Sequence, residues 1–344
     1  MQKTIQIVFS TICLISLLQA QSSNQNVSKV GTAAATFLEI PVGARAAGMG
    51  GAFVSVANDA SALYWNVAGI AHVEHKEILG IHTRWIGETS FDYAGLLIPI
   101  WDAGVLGLSF TSLSMDDMMV RTIEKPEGTG EYFSAGDICI GLSYAFALTE
   151  RFAIGATAKY IQQSIWHMSA SAFAIDLGTT FRTDLLNGMV IGASISNFGT
   201  SMQLSGRDTR RFSPADETKL GSNQSIPQNT EMDTWPLPLL FQIGISTDAL
   251  KSEDFRWTVA VDAAHPSDNY ESVNIGTEAG YKDFLFLRAG YNQLFMKDRE
   301  GGLALGVGFN SSALFSGVLF KFDFGYQDMK RLQNAQFMSI ALEF

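Results

Sequence analysis

From Glu77 to Phe344 the chain repeats one pattern, in which apolar side chains alternate with small or polar ones over segments of roughly ten residues. Turn residues separate the segments. A period of two marks a strand whose two faces meet different surroundings. The clearest case places Ile138, Ile140, Leu142, Tyr144 and Phe146 on one face and Asp137, Cys139, Gly141, Ser143 and Ala145 on the other. The final segment sets Met338, Ile340, Leu342 and Phe344 against Ser339, Ala341 and Glu343. Fourteen strands are expected, at 77–85, 90–101, 103–114, 135–147, 152–164, 170–182, 189–198, 237–247, 255–264, 271–280, 283–292, 301–310, 313–325 and 336–344. The tenth is the weakest, because Asn274, Gly276 and Glu278 dilute its apolar face.

A soluble sandwich also alternates, but its strands run about five or six residues. These are about twice that, the length a tilted strand needs to cross a bilayer. The expected fold is therefore all-β, a 14-stranded antiparallel transmembrane β-barrel with its small or polar face toward the lumen. The connections alternate accordingly. Even-numbered ones are mostly short (Asp102, Leu148–Arg151, Lys282, Asn310–Ala313), and the odd-numbered ones include the two longest, 115–134 and 199–236. Short periplasmic turns and long external loops characterise outer-membrane barrels. An even strand count puts both termini on the periplasmic side. Trp85, Trp166 and Trp235 then fall at external strand ends, and Trp101 and Trp257 at periplasmic ends, as bilayer interfaces favour. The chain ends on Phe344 behind alternating apolar residues, which resembles the C-terminal signal read by barrel-insertion machinery.

Composition agrees. Of 344 residues 47% are hydrophobic and only 17% charged, against about 25% charged in average soluble domains. Beyond residue 20 no apolar run is long enough for a transmembrane helix. Residues 1–20 read as a secretory signal peptide, with Lys3 before the apolar stretch Ile5–Leu18 and Ala20 at the cleavage position. Cys139 is then the one cysteine left, so no intrachain disulfide is expected. After Ala20 the chain carries 22 basic and 34 acidic residues. Such an excess of acid argues against nucleic acid as a partner.

Residues 31–75 break the strand pattern. A small-residue run, Gly43 to Gly51, leads through Ala52-Phe53-Val54 to Ala60-Ser61-Ala62-Leu63-Tyr64-Trp65-Asn66. Asp59 or Ser61 is placed to cap a short helix over 60–65. The segment is too small to form its own core. The domain reading is thus 1–20 leader, 21–76 N-terminal extension and lumenal hatch or plug, and 77–344 barrel, with Phe53, Tyr64 and Trp65 packing the plug or lining a pocket beside it.

Candidate chemistry is sparse. Gly43-xxxx-Gly48 lacks the lysine of a phosphate loop, and Phe53 stands where a dinucleotide fingerprint needs its third glycine. His72-Val73-Glu74-His75 is not a zinc-helix motif, and Gly141-Leu142-Ser143-Tyr144-Ala145 lacks the second glycine of a nucleophile elbow. No catalytic residue, cofactor or metal is assigned, and the chain is read as a non-enzyme. Asp116, Asp117, Arg207, Arg210 and Arg211 lie in the two long loops and are the candidate partner-binding residues.

The run Phe37-Leu38-Glu39-Ile40-Pro41-Val42-Gly43-Ala44-Arg45-Ala46-Ala47-Gly48-Met49-Gly50-Gly51-Ala52-Phe53, followed by Ala60-Ser61-Ala62-Leu63-Tyr64-Trp65-Asn66-Val67-Ala68-Gly69, resembles the opening of the PorV/PorQ family of FadL-like outer-membrane barrels. Its hatch motif maps onto Gly43, Arg45, Gly48, Gly50, Gly51, Trp65, Asn66 and Gly69, with Val67 where the family usually has proline. The resemblance implies a Gram-negative outer-membrane role in type IX secretion. Such barrels bind the C-terminal signal of cargo and carry it from the translocon to the surface attachment complex. It implies translocon subunits, attachment-complex proteins, cargo domains and outer-membrane lipid as partners. The alternative it implies is a FadL-like transporter of hydrophobic molecules holding a lipid or fatty acid.

Overall fold

The computed structural model describes residues 29–100, 103–214, 225–296, 299–311, 318–332 and 334–344. The expected leader, Trp101 and Asp102, and the start of the thirteenth expected strand lie outside these residues. The barrel strands are β1 (Glu77–Arg84), β2 (Ser90–Pro99), β3 (Val105–Ser114), β4 (Ala135–Ala147), β5 (Phe152–Ile165), β6 (Met168–Arg182) and β7 (Val190–Gly199). They continue as β8 (Leu240–Lys251), β9 (Phe255–Pro266), β10 (Ser272–Tyr281), β11 (Leu285–Leu294), β12 (Leu303–Asn310), β13 (Leu319–Asp328) and β14 (Asn334–Glu343). Each pairs antiparallel with its sequence neighbours, and β14 closes on β1 from Glu77↔Glu343 to Arg84↔Gln336. The ring is the closed 14-stranded barrel that the periodicity predicts. Closure pairs the first and last strands of the series with each other.

The two faces separate as the alternation requires. In β4, Leu142 is 60% exposed and its neighbour Ser143 is 1% exposed. Leu106, Leu108 and Phe110 of β3 and Phe173, Ile175 and Leu177 of β6 likewise point outward. So continuous an apolar exterior is tolerated only against hydrocarbon. At the end carrying Phe344, called here the terminal rim, connections are tight. Lys282 (φ 53) and Asp283 (φ 48) both take left-handed backbone in the turn that Phe284 N–H closes on Tyr281 O at 3.0 Å, within a three-residue connection. At the opposite loop rim, 115–134 folds back through Met118–Met119 against Tyr132–Phe133, and 200–239 carries several short ladders.

Two differences from the sequence expectation have local causes. Strand β8 begins at Leu240 rather than 237, because Pro238 has no N–H for the ladder. The described residues also begin at the loop rim, not the terminal rim, since Ala34 N–H donates to Pro236 O at 2.9 Å.

The interior is occupied by residues 35–73. They form a 3-10 turn (Thr36–Glu39), helix α1 (Ala44–Gly48), helix α2 (Ala62–Trp65) and a second 3-10 turn (Val67–His72). Phe53, Met49, Val54 and Ile70 are fully buried among them. The small inward faces of the wall serve this packing. A Cβ on Gly306 would stand 3.1 Å from Gly48 Cα, and one on Gly325 would stand 2.7 Å from Ala44 O. Inward Gly155, Gly178, Gly192, Gly276 and Gly290 likewise abut the backbone or side chains of residues 49–68. Their smallness admits a second layer of protein where water alone would not demand it.

Candidate functional site

The sequence-predicted motif residues converge inside the barrel. Gly43 (φ 98) turns the chain into α1, which presents Arg45 toward β10. The Arg45 guanidinium forks onto Glu278, with Nε to Oε2 at 2.9 Å and Nη2 to Oε1 at 3.0 Å. Its Nη1 reaches Asn58 Oδ1 at 2.7 Å and Asp59 Oδ2 at 3.1 Å. Glu278 also accepts from Arg288 Nε at 2.6 Å, and Arg288 Nη1 donates to Asp323 Oδ1 at 2.6 Å. Lys321 extends the cluster to Glu343 at 2.8 Å and Glu77 at 3.6 Å. Charges this buried are tolerable only when paired and hydrogen-bonded, and two-pronged arginine–carboxylate contacts are the strong form. Burial works to raise the Asp59 carboxyl, but Arg45 and the Ser61 hydrogen bonds hold it below the ordinary aspartate range.

Asp59 Oδ1 accepts from Ser61 N–H at 2.9 Å and so orders the entry to α2, although no side chain caps that helix directly. Trp65 Nε1 donates to Val42 O at 2.7 Å, and its ring meets Phe53 edge-on at 5.9 Å. Asn66 Nδ2 bridges Val54 O (2.9 Å) and Thr179 O (3.0 Å), while its Oδ1 accepts from Ala68 N–H at 3.2 Å. That last bond fixes the turn that the family's proline would otherwise stiffen. Gly50 has φ 65, and a Cβ there would stand 2.6 Å from Tyr291 N. A Cβ on Gly69 would overlap Ala57 O, and one on Gly51 would stand 3.2 Å from Asn274 Nδ2.

Several residues in this arrangement were not singled out from sequence. Asp262 of β9 accepts from Phe53 N–H at 2.6 Å and Val54 N–H at 2.8 Å. Glu278 holds Arg45 and is itself held by Arg288, which Asp323 pairs, and Lys159, Asp176 and Asn197 form a second buried polar group. All but Asn197, which stands at a bulge, are charged side chains in the inward phase of otherwise apolar or small strands. That was the signal available, and in strand ten it registered only as dilution.

The loop-rim candidates stay apart from the lumenal set. Asp116 and Asp117 are exposed on the 115–134 hairpin. Arg207 contacts the His167 ring nitrogens at 2.9 and 3.0 Å, and Arg210 and Arg211 stand exposed on the ladder Arg210–Ser213 with Ile226–Asn229. Above the lumenal segment, toward the loop rim, lies a cavity of about 180 Å³ bordered by Glu39, Tyr64, Trp65 and Tyr270. Phe53 is packed beneath it rather than lining it. Burial, with the Asp268 carboxylate beside it, pushes Glu39 up to about 7. Below the segment, a cavity of about 220 Å³ is walled by the Arg45 charge cluster. Among the described residues no group of three or more His, Cys, Asp or Glu side chains is arranged to hold a metal ion.

With this geometry established, comparison with known proteins gives three findings. The family model described as type IX secretion system protein PorV matches residues 21–226. No curated protein matches the sequence. Among solved structures, a Pseudomonas aeruginosa FadL homologue superposes with TM-score 0.51 at 11% identity, covering 88% of this chain and 98% of its own. The P. putida toluene transporter TodX does so with TM-score 0.54 at 10% identity, covering 88% and 97%. The CymD monoaromatic hydrocarbon channel gives TM-score 0.53 at 15% identity, again covering 88% and 97%. At these identities the likeness is one of fold.

Proposed function

The chain belongs to the family of type IX secretion system protein PorV, and from that premise we propose that it is a non-catalytic outer-membrane component of type IX secretion. On this reading it binds the C-terminal signal of cargo and passes it from the translocon to the attachment complex, docking through the loop rim. The observation that carries the proposal is the division of the molecule. The lumen is filled by a clamped segment, while the charged side chains of the long loops, Asp116, Asp117, Arg207, Arg210 and Arg211, remain exposed. A filled barrel with projecting loops suits a binding scaffold better than an open pore. Affinity purification in mild detergent from actively secreting cells tests it. Co-recovery of translocon subunits or cargo is the expected result, and recovery of the barrel alone overturns it.

A second reading is a transporter of fatty acids or other hydrophobic small molecules. It is favoured by the cavity beside Tyr64 and Trp65 and by the apolar groove of about 640 Å³ that Ile195, Leu239 and Phe241 form on the outer wall. Native mass spectrometry showing a co-purifying lipid or fatty acid supports it. Unchanged uptake of such compounds in a deletion strain counts against it.

A further inference from the structure

Strands β7 and β8 do not remain paired up to the loop rim. They run in register from Val190↔Ser246 to Ser196↔Leu240, and their continuations meet again only at Met202↔Trp235 and Gln203↔Thr234. Between these two junctions the wall is open, with residues 197–201 on one side and 236–239 on the other. On the first side, Asn197 takes φ 65 where the β6–β7 register shifts. Beyond it the chain follows β6, with Thr200 N–H donating to Phe173 O at 2.9 Å. On the second side, Ser267 N–H donates to Leu239 O at 2.8 Å and Leu239 N–H donates to Ser267 Oγ at 3.1 Å. Leu239 therefore turns its backbone groups toward β9. The chain tightens around Pro238, where Leu239 N–H also donates to Leu237 O at 2.9 Å, and the carbonyls of Pro236 and Pro238 face the opening. Proline has no N–H to leave unpaired there. The sequence Trp235-Pro236-Leu237-Pro238 thus encodes an interruption of the ladder.

The N-terminal segment passes through this window. Lys29 and Val30 border the groove on the outer wall with Ile195, Leu239 and Phe241. Ala34 N–H donates to Pro236 O at 2.9 Å within the opening. Ala35 N–H donates to Gln163 Oε1 at 2.9 Å on the lumenal side, where Ala35 is 1% exposed. A buried latch holds the frame. Asn197 Nδ2 donates to Pro238 O at 3.0 Å, its Oδ1 accepts from Lys159 Nζ at 3.0 Å, and its N–H donates to Asp176 Oδ1 at 2.7 Å.

We propose that the window is a docking site for a peptide segment with small side chains, and that residues 29–35, which turn at Gly31 (φ 76) and again at Ala35 (φ 52), are its resident, displaceable occupant. The groups the window offers are the main-chain carbonyl of Pro236 and the primary amide of Gln163, which accept from two successive peptide N–H groups. An apolar small molecule would leave both unanswered, at the cost of two desolvated polar groups. The present occupant, Gly31-Thr32-Ala33-Ala34-Ala35, has the small side chains that the passage admits. It contributes neutral hydrogen bonds to the frame, whereas residues 42–72 are tied by ion pairs and fully buried side chains.

The test uses the full chain in detergent. Ala34→Pro removes the N–H that reaches Pro236 O and loosens the resident segment without adding charge. A fluorescent synthetic peptide with the sequence of residues 29–36 is then titrated and followed by anisotropy. The expected result is saturable binding to Ala34→Pro, at least about tenfold tighter than to the unaltered chain. A further Gln163→Leu change should weaken that binding roughly fivefold, the effect of one ordinary hydrogen bond. Absence of binding to folded Ala34→Pro protein, or equal binding to both chains, overturns the proposal. Should Ala34→Pro fail to fold, amide exchange of the unaltered protein decides. Residues 30–35 should exchange at least about tenfold faster than 44–57, and equal protection of the two overturns displaceability.

Discussion

Residues 42–72 and residues 29–35 belong to one irregular stretch, yet they are held in different ways. The first is gripped from all sides by charge pairs, by Asp262 bridging two successive N–H groups, and by glycines that bring backbone against backbone. The second crosses the wall on hydrogen bonds from Ala34 and Ala35 to neutral acceptors. Burial without charge can be exchanged for another ligand of the same shape. Burial with paired charge cannot, because separating the pair strands an ion. The contrast divides the interior into a fixed part and a replaceable part.

The contrast can be broken most forcefully at Arg45. Arg45→Met strands Asp59, leaves Glu278 with Arg288 alone and should cost about 3–5 kcal/mol, seen as a lower guanidinium midpoint for the detergent-solubilised barrel. Gly50→Ala should cost about 2–4 kcal/mol, combining a left-handed backbone with overlap on Tyr291. Its thermal melting should fall while strand content is retained. Asp262→Ala leaves the N–H groups of Phe53 and Val54 without their acceptor and should cost about 1–3 kcal/mol, with faster amide exchange confined to residues 50–57.

Glu39 sharpens the comparison, since it sits where the two parts meet. Its folded pKa of about 7 lies above its ordinary 4.5. The folded state therefore binds the proton more tightly, and this contribution is complete below about 4.5 and lost as pH rises through 7. The unaltered chain should lose on the order of 1–2 kcal/mol across that window, and Glu39→Gln should flatten the profile of melting temperature against pH. The smallest effect belongs to the rim. Arg210→Ala with Arg211→Ala should shift stability by less than about 0.5 kcal/mol. If the loops dock partners, the same change should reduce co-purification of secretion subunits.

The wall was legible in the sequence because hydrocarbon on one side and a packed interior on the other impose period two on every strand. Ile140 to Phe146 show it without ambiguity. The strand count and the alternation of short and long connections follow from the same constraint. The motif residues Arg45, Gly50, Trp65 and Asn66 were legible as a group through their resemblance to a family. Their partners were not, because Glu278, Arg288, Asp262 and Asp323 are distant in sequence and look like flaws in a strand until their register is known. The window was invisible for a similar reason. Pro236 and Pro238 announce a break, but only the pairing on either side reveals that another part of the chain fills it.

That crossing has a consequence for assembly. The pairs at Ser196↔Leu240 and Met202↔Trp235 make a small loop of backbone with residues 29–35 drawn through it. Proteins seldom thread such loops. Either the loop zips shut around a segment already in position, or a free end slides in afterwards. A bulky folded fusion ahead of residue 29 permits the first order of events and forbids the second, so whether such a fusion matures would reveal which comes first.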